Sequence, residues 1–177
     1  MRIVGGKYRG KKITVSSAFD SRPTTDFARE ALFNILNNYF DFERIKMLDL
    51  FSGTGSISLE MASRGCHEID LVDINSKAIQ FIGKLADDMS IRGIHAVRMD
   101  VFRFIPVCRK KYDIIFADPP YDHPKLREIP ELILSHQLLV DDGWFILEHG
   151  REHSFRDHLK LFDERNYGSV HFSFFKQ

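Results

Sequence analysis

The run Tyr112-Asp113-Ile114-Ile115-Phe116-Ala117 constrains the fold of this chain more than any other stretch. Its last four residues are apolar without alternation, so both faces of the strand they form must be covered. Such a strand belongs in the middle of a parallel sheet, and parallel neighbours need crossover connections of helix length.

The flanking sequence supplies those crossovers. Strand patterns are expected at 45–51, 68–74, 94–99, 112–117 and 143–148. Between them lie helical patterns: one running from a glycine turn to about Arg64, one with Ala78, Ile82, Leu85 and Met89 on a face, capped by Asn75 and stopped near Gly93, and one near Ile129 to Leu139. Upstream, Ala28, Ala31, Leu32, Ile35, Leu36 and Tyr39 predict a helix, capped by Thr24, Thr25 or Asp26 after a polar loop. Downstream, Leu161-Phe162, a turn near Asn166 to Gly168, and alternating Val170, Phe172 and Phe174 predict a closing antiparallel hairpin. The expected class is a doubly wound, Rossmann-like α/β sheet with an antiparallel end. A short N-terminal β-hairpin is expected from Ile3-Val4, a Gly5-Gly6 break, and Ile13 to Val15.

Open α/β sheets bind ligands at the C-terminal ends of their strands. Four acids fall at expected strand ends: Asp49, Asp73, Asp100 and Asp118. Asp49 leads into Phe51-Ser52-Gly53-Thr54-Gly55, whose glycines let the backbone turn tightly against a ligand. A dinucleotide fold wants a third glycine, and Ser58 stands there instead. An acid before the loop suits a ligand with an ammonium group and no phosphate, such as S-adenosylmethionine. Asp73, followed by Ile74, is placed to hold ribose hydroxyls. Asp100, followed by Val101, is placed for an adenine amino group or, alternatively, as the N-cap of a helix over 101–105.

Asp118-Pro119-Pro120-Tyr121 follows the apolar strand directly. The amino group of a nucleic-acid base is a poor nucleophile, because its lone pair is delocalised into the ring. Two acceptors on its two hydrogens favour the tetrahedral geometry and stabilise the developing positive charge. Asp118 and the Pro119 carbonyl fit those roles. Two prolines fix φ and make the corner rigid. Tyr121 is placed to stack on an extruded base.

The chain has 177 residues and zero formal net charge, with an isoelectric point near 7.1. That argues weakly against a free nucleic-acid binder. The charge is unevenly placed, however: Arg2, Lys7, Arg9, Lys11 and Lys12 form a cationic arm. The expected division is 1–22 as arm and loop and 23–177 as the main domain. Cys66 and Cys108 have no metal spacing and suggest a reducing compartment. With no apolar leader and no run long enough to span a bilayer, a cytoplasmic location is expected. His149 and His153 are four apart, but no third ligand is evident, so they read as surface histidines and no metal is expected.

The segments Asp49 to Gly55 and Asp118 to Tyr121 resemble the class I methyltransferases that modify amino groups. Arg2-Ile3-Val4-Gly5-Gly6-Lys7-Tyr8-Arg9-Gly10, Arg22-Pro23-Thr24-Thr25-Asp26 with Arg29-Glu30, and Leu32-Phe33-Asn34 resemble the RsmD family of small-subunit (16S) ribosomal RNA guanine-N2 methyltransferases. Tyr167-Gly168 before an alternating strand is similar too. The resemblance implies seven strands, the last antiparallel, with S-adenosylmethionine as donor and a guanine in an assembled or partly assembled small subunit (30S) as acceptor. It places the cofactor on the glycine loop and Asp73, and the guanine on Asp118 to Tyr121. It sets Arg2, Lys7, Arg9, Lys11, Arg22 and Arg29 against rRNA; an Arg29–Asp pair that merely staples the helix is the alternative for Arg29. A monomer is expected. Ser52 stands where the family often has Ala, and Asp73 where Glu is common. Three rivals remain open: an adenine-N6 DNA methyltransferase, a nicotinamide oxidoreductase and a non-catalytic rRNA-binding assembly factor.

Overall fold

A computed structural model describes residues 1–15 and 25–177. Five strands run parallel: β1 (Lys46–Leu50), β2 (Glu68–Asp73), β3 (Ile94–Arg98), β4 (Tyr112–Ala117) and β5 (Leu139–His149). β6 (Leu161–Tyr167) and β7 (Val170–Lys176) form a hairpin, and β7 inserts antiparallel beside β5. The sheet order is β3-β2-β1-β4-β5-β7-β6, with β4 central as its apolar run requires.

The helices are α1 (Asp26–Leu36), α2 (Ser56–Ser63), α3 (Ser76–Asp88), α4 (Val101–Val107) and α5 (Ile129–Ser135). α1 and α2 cover one face, where Leu32, Phe33 and Met61 pack on Ile114, Phe116, Phe172 and Phe174. α4 and α5 cover the other, where Ile105, Ile129 and Ile133 pack on Ile115, Phe145 and Phe175. Each fully buried side chain of this size contributes about 1.5–3 kcal/mol, so the double cover of β4 is a main source of stability.

The structure selects one of the three candidate caps of α1 and corrects several other expectations. Thr25 is the cap of α1, its hydroxyl accepting from the Ala28 N–H at 3.1 Å. Tyr39 lies beyond that helix and is exposed, while Phe33 joins the buried face. α5 stops at Ser135 rather than Leu139, since Gln137 takes a positive φ of 52° and β5 begins at once by pairing Leu139 with Tyr112. The N-terminal hairpin is present, an antiparallel bridge of Arg2 with Lys12 flanked by the Ile3 N–H on the Lys11 carbonyl at 3.1 Å and the Ile13 N–H on the Met1 carbonyl at 2.9 Å. The side chains of Ile3 and Ile13 turn inward onto Leu59 and Met89. The resulting ribbon is fastened to the far end of α2, with the Lys7 N–H donating to the Ser63 carbonyl at 2.6 Å and the Tyr8 N–H to the Ser63 hydroxyl at 2.9 Å. Gly6 is required there, because a Cβ would lie 1.9 Å from the Ser63 carbonyl oxygen.

Candidate active site

The site is a cleft over the C-terminal ends of β1 and β4. Pairing of Leu50 with Ala117 brings the residues that follow each strand side by side, and the Asp118 N–H donates to the Leu50 carbonyl at 3.3 Å. The Phe51 ring lies 6.1 Å from that of His123, which follows the proline corner. The glycine bend and the Asp118–Tyr121 corner thus face one space.

On the β1 side, Ser52 donates its N–H to Val72, and the turn closes with the Gly55 N–H on the Ser52 carbonyl at 2.7 Å. Gly55 caps α2 at φ 70°, with Ile82 directly beneath it. Gly53 donates its N–H to one oxygen of Asp73 and Asn75 to the other, at 2.8 and 2.7 Å. That carboxylate is oriented before any ligand arrives. Asp49 is buried and accepts from the Ser58 hydroxyl at 2.5 Å. This is why a serine stands at the third glycine position: its hydroxyl holds the acid. Burial pushes the Asp49 carboxyl up to about 7, with the Asp73 charge adding and Ser58 opposing. Ser52 and Thr54 are buried, and Thr54 donates to the Met1 sulfur at 3.7 Å.

Asp100 caps α4, accepting from the Arg103 N–H at 3.1 Å, so the capping alternative is realised. It also lines an open cavity of about 640 Å³ with Ile74, Arg98, Met99, Arg103 and Val107. Val101 is different, since its side chain is in the core.

On the β4 side, half-buried Asp118 is raised well above the usual carboxylate range, by burial and then by the charges of Glu148 and Asp49. Pro119 is buried and Pro120 exposed. Tyr121 is tied at both polar ends: its hydroxyl donates to Glu148 Oε1 at 2.9 Å, and its carbonyl accepts from His153 Nε2 at 2.7 Å. Burial and the Glu148 charge raise its phenol above the ordinary value.

The two histidines are not surface residues. His149 is fully buried under β7, with Nδ1 on the Gly150 carbonyl at 2.9 Å and Nε2 on the Ser173 hydroxyl at 2.8 Å. Burial lowers its proton affinity. His153 is half-buried against Tyr121. No group of three or more metal-ligating residues lies together among the described residues.

Among the arm residues, Arg2, Lys7, Arg9, Lys11 and Lys12 are exposed. Arg29 is buried, its guanidinium donating to Asp26 at 2.7 Å and to the Arg2 carbonyl, with Glu60 3.8 Å from Nε. It staples α1, the alternative reading, and presents no charge to a phosphate in this conformation. Arg22 and the division at 22/23 lie outside the described residues.

Sequence reasoning missed Glu148, although the strand-end signal that found the other acids applies to it. It also missed Glu60, fully buried on α2, which accepts from the Val4 N–H at 2.8 Å and from Arg64 at 2.9 Å.

The strand order, the glycine bend on β1 and the acids at successive strand ends define a class I methyltransferase fold, whose cofactor is S-adenosylmethionine. The residues fit that group: Ser52 Oγ is buried without a partner beside the bend, and carboxylates rather than phosphate donors line it. The sequence pattern of the family described as Conserved hypothetical protein 95 matches residues 1–176. The chain is 33% identical to ribosomal RNA small subunit methyltransferase D of Buchnera aphidicola over 151 residues, covering 84% of this chain and 75% of that one. It is 31% identical to the Escherichia coli protein of the same name over 144 residues, covering 81% and 69%. A solved Thermus thermophilus hypothetical protein, 28% identical, superposes with a TM-score of 0.87 over 100% of this chain and 99% of that one. This chain belongs to the RsmD family of rRNA methyltransferases.

Proposed function

We propose that this protein methylates the exocyclic N2 amino group of a guanine in small-subunit ribosomal RNA, in the cytoplasm. The observation that carries the reading is the meeting of the β1 bend and the Asp118–Tyr121 corner across the Leu50–Ala117 pair.

S-adenosylmethionine supplies an electrophilic methyl on its sulfonium sulfur. Asp49 and the β1 bend bind its charged methionine end, Asp73 its ribose, and the cavity between Ile74 and Asp100 its adenine. Asp118 and the Pro119 carbonyl accept from the two hydrogens of the guanine amino group and turn its nitrogen toward the methyl. Asp118 would also be placed to take the proton that the amino group must lose once its nitrogen carries the methyl. Much of the rate comes from holding the two reactants in line. The arm that carries the exposed cations is fastened beside α2, with Met1 at Thr54 and Lys7 at Ser63. That path suits rRNA phosphates entering the cleft.

The test is transfer of labelled methyl to small subunits from a strain lacking the modification, with naked rRNA and duplex DNA in parallel and the product nucleoside identified by mass. N2-methylguanosine from subunits is the expected product. N6-methyladenine would establish the rival chemistry.

A further inference from the structure

Two consecutive prolines make the catalytic corner rigid but also remove two backbone donors. Beyond the Asp118 N–H on the Leu50 carbonyl, such a corner leans on its carbonyls and side chains for anchorage. Both anchors on Tyr121 come from one place, the end of β5 and the turn after it. Glu148, the penultimate residue of β5, is buried and takes the Tyr121 hydroxyl at 2.9 Å. His153 closes the turn, its N–H donating to the Gly150 carbonyl at 3.2 Å, and its ring Nε2 reaches the Tyr121 carbonyl at 2.7 Å. A carbonyl accepts only, so the proton of that bond sits on Nε2.

The turn is braced in its own right. The Gly150 carbonyl accepts from His149 Nδ1, which leaves His149 Nε2 to accept from the Ser173 hydroxyl of β7. The ring centroids of His149 and His153 are 6.3 Å apart. A line of contacts therefore runs from β7 through β5 to the corner after β4.

We propose that Glu148 and His153 are positioning residues for methyl transfer, gripping Tyr121 at its hydroxyl and its carbonyl so that Asp118 and the Pro119 carbonyl are held in their reactive arrangement. Neither residue touches the transferred methyl. The inference rests on the reading of Asp118–Tyr121 as the acceptor corner.

The experiment compares wild type with His153→Ala, His153→Gln and Glu148→Gln. Glutamine at 153 keeps an N–H for the Tyr121 carbonyl, and glutamine at 148 keeps an oxygen for the phenol. Methyl transfer to small subunits gives kcat and KM, calorimetry gives cofactor affinity, and 3-fluorotyrosine at position 121 reports the corner by its fluorine resonance without any acceptor. For His153→Ala, kcat falls about 10- to 100-fold, as displacements near 1 Å do. KM and cofactor Kd stay within about twofold, and the fluorine line splits or broadens. His153→Gln recovers most of kcat and the single line, and Glu148→Gln keeps the line while losing little rate. An unchanged kcat in His153→Ala overturns the proposal, and so does a parallel loss of cofactor binding or a glutamine variant as impaired as alanine. If wild type fails on subunits while the fluorine line still depends on His153, the substrate reading has failed and the grip has not.

Discussion

The two halves of the cleft are prepared in opposite ways. Across β1 to β3 the acids are already satisfied: Asp73 by two backbone N–H groups, Asp100 by the Arg103 N–H. Across β4 and β5, burial and the charges of Glu148 and Asp49 raise the Asp118 carboxyl well above its ordinary range. The cofactor half can thus be rigid while empty. On the proposed function, an arriving amino group that becomes positive would relieve the repulsion around Asp118. Asp49 stands on the seam and shares both characters, held by Ser58 yet raised to about 7.

Removing Asp118 should remove the reaction. Asp118→Ala is expected to lower kcat by 10²–10³ or more, roughly the effect of losing one preorganised partner of a transition-state charge. Cofactor Kd should change less than threefold by calorimetry. The melting temperature should hold or rise, because a crowded acid has gone. Equal loss of cofactor binding would merge the two halves into one.

Damage to the other half should show the reverse pattern. Gly55→Ala forces a side chain onto φ 70° and sets its Cβ 2.8 Å from Ile82. A left-handed backbone costs a non-glycine residue about 1–2 kcal/mol before the clash. Cofactor affinity should weaken at least tenfold, with a lower melting temperature; unchanged binding would remove the bend from the cofactor site.

The pH dependence sharpens the comparison further. A raised carboxyl keeps its proton in the folded state after the unfolded chain has released it, so folding stability falls as pH rises from the ordinary carboxylate range toward 7. A cationic cofactor restores the charged form. Melting curves from pH 5 to 8 should therefore show the free protein losing stability and S-adenosylmethionine raising the melting temperature more at pH 8 than at pH 5. A pH-independent increment would mean that the cofactor's charge does not meet Asp49. The smallest effect belongs outside the cleft. Neutralising Lys7, Arg9 and Lys11 together should weaken RNA binding and reduce its logarithmic salt slope by about 0.7 for each lost phosphate contact.

Much of this was legible in the sequence because its signals are local. An unbroken apolar run marks β4, and an acid after each strand marks the ligand end. What stayed hidden depends on partners distant in the chain. Arg29 shares the α1 stripe of Phe33 and Leu36, yet besides Asp26 it takes Glu60 and the Arg2 carbonyl, both distant in the chain, to make a buried charge tolerable there. His149 became interior because β7 pairs His171 against it. The docking of the N-terminal hairpin was hidden in the same way, because Ile3 and Ile13 pack on Leu59 and Met89, far along the chain.

The insertion of β7 between β5 and β6 has a consequence for biogenesis. Every cleft residue is translated before the strand whose Ser173 braces His149. A nascent chain holding Asp49, Asp118 and Tyr121 still has an open sheet edge at β5 and an unsupported turn. Long-range closure of this kind comes late in folding.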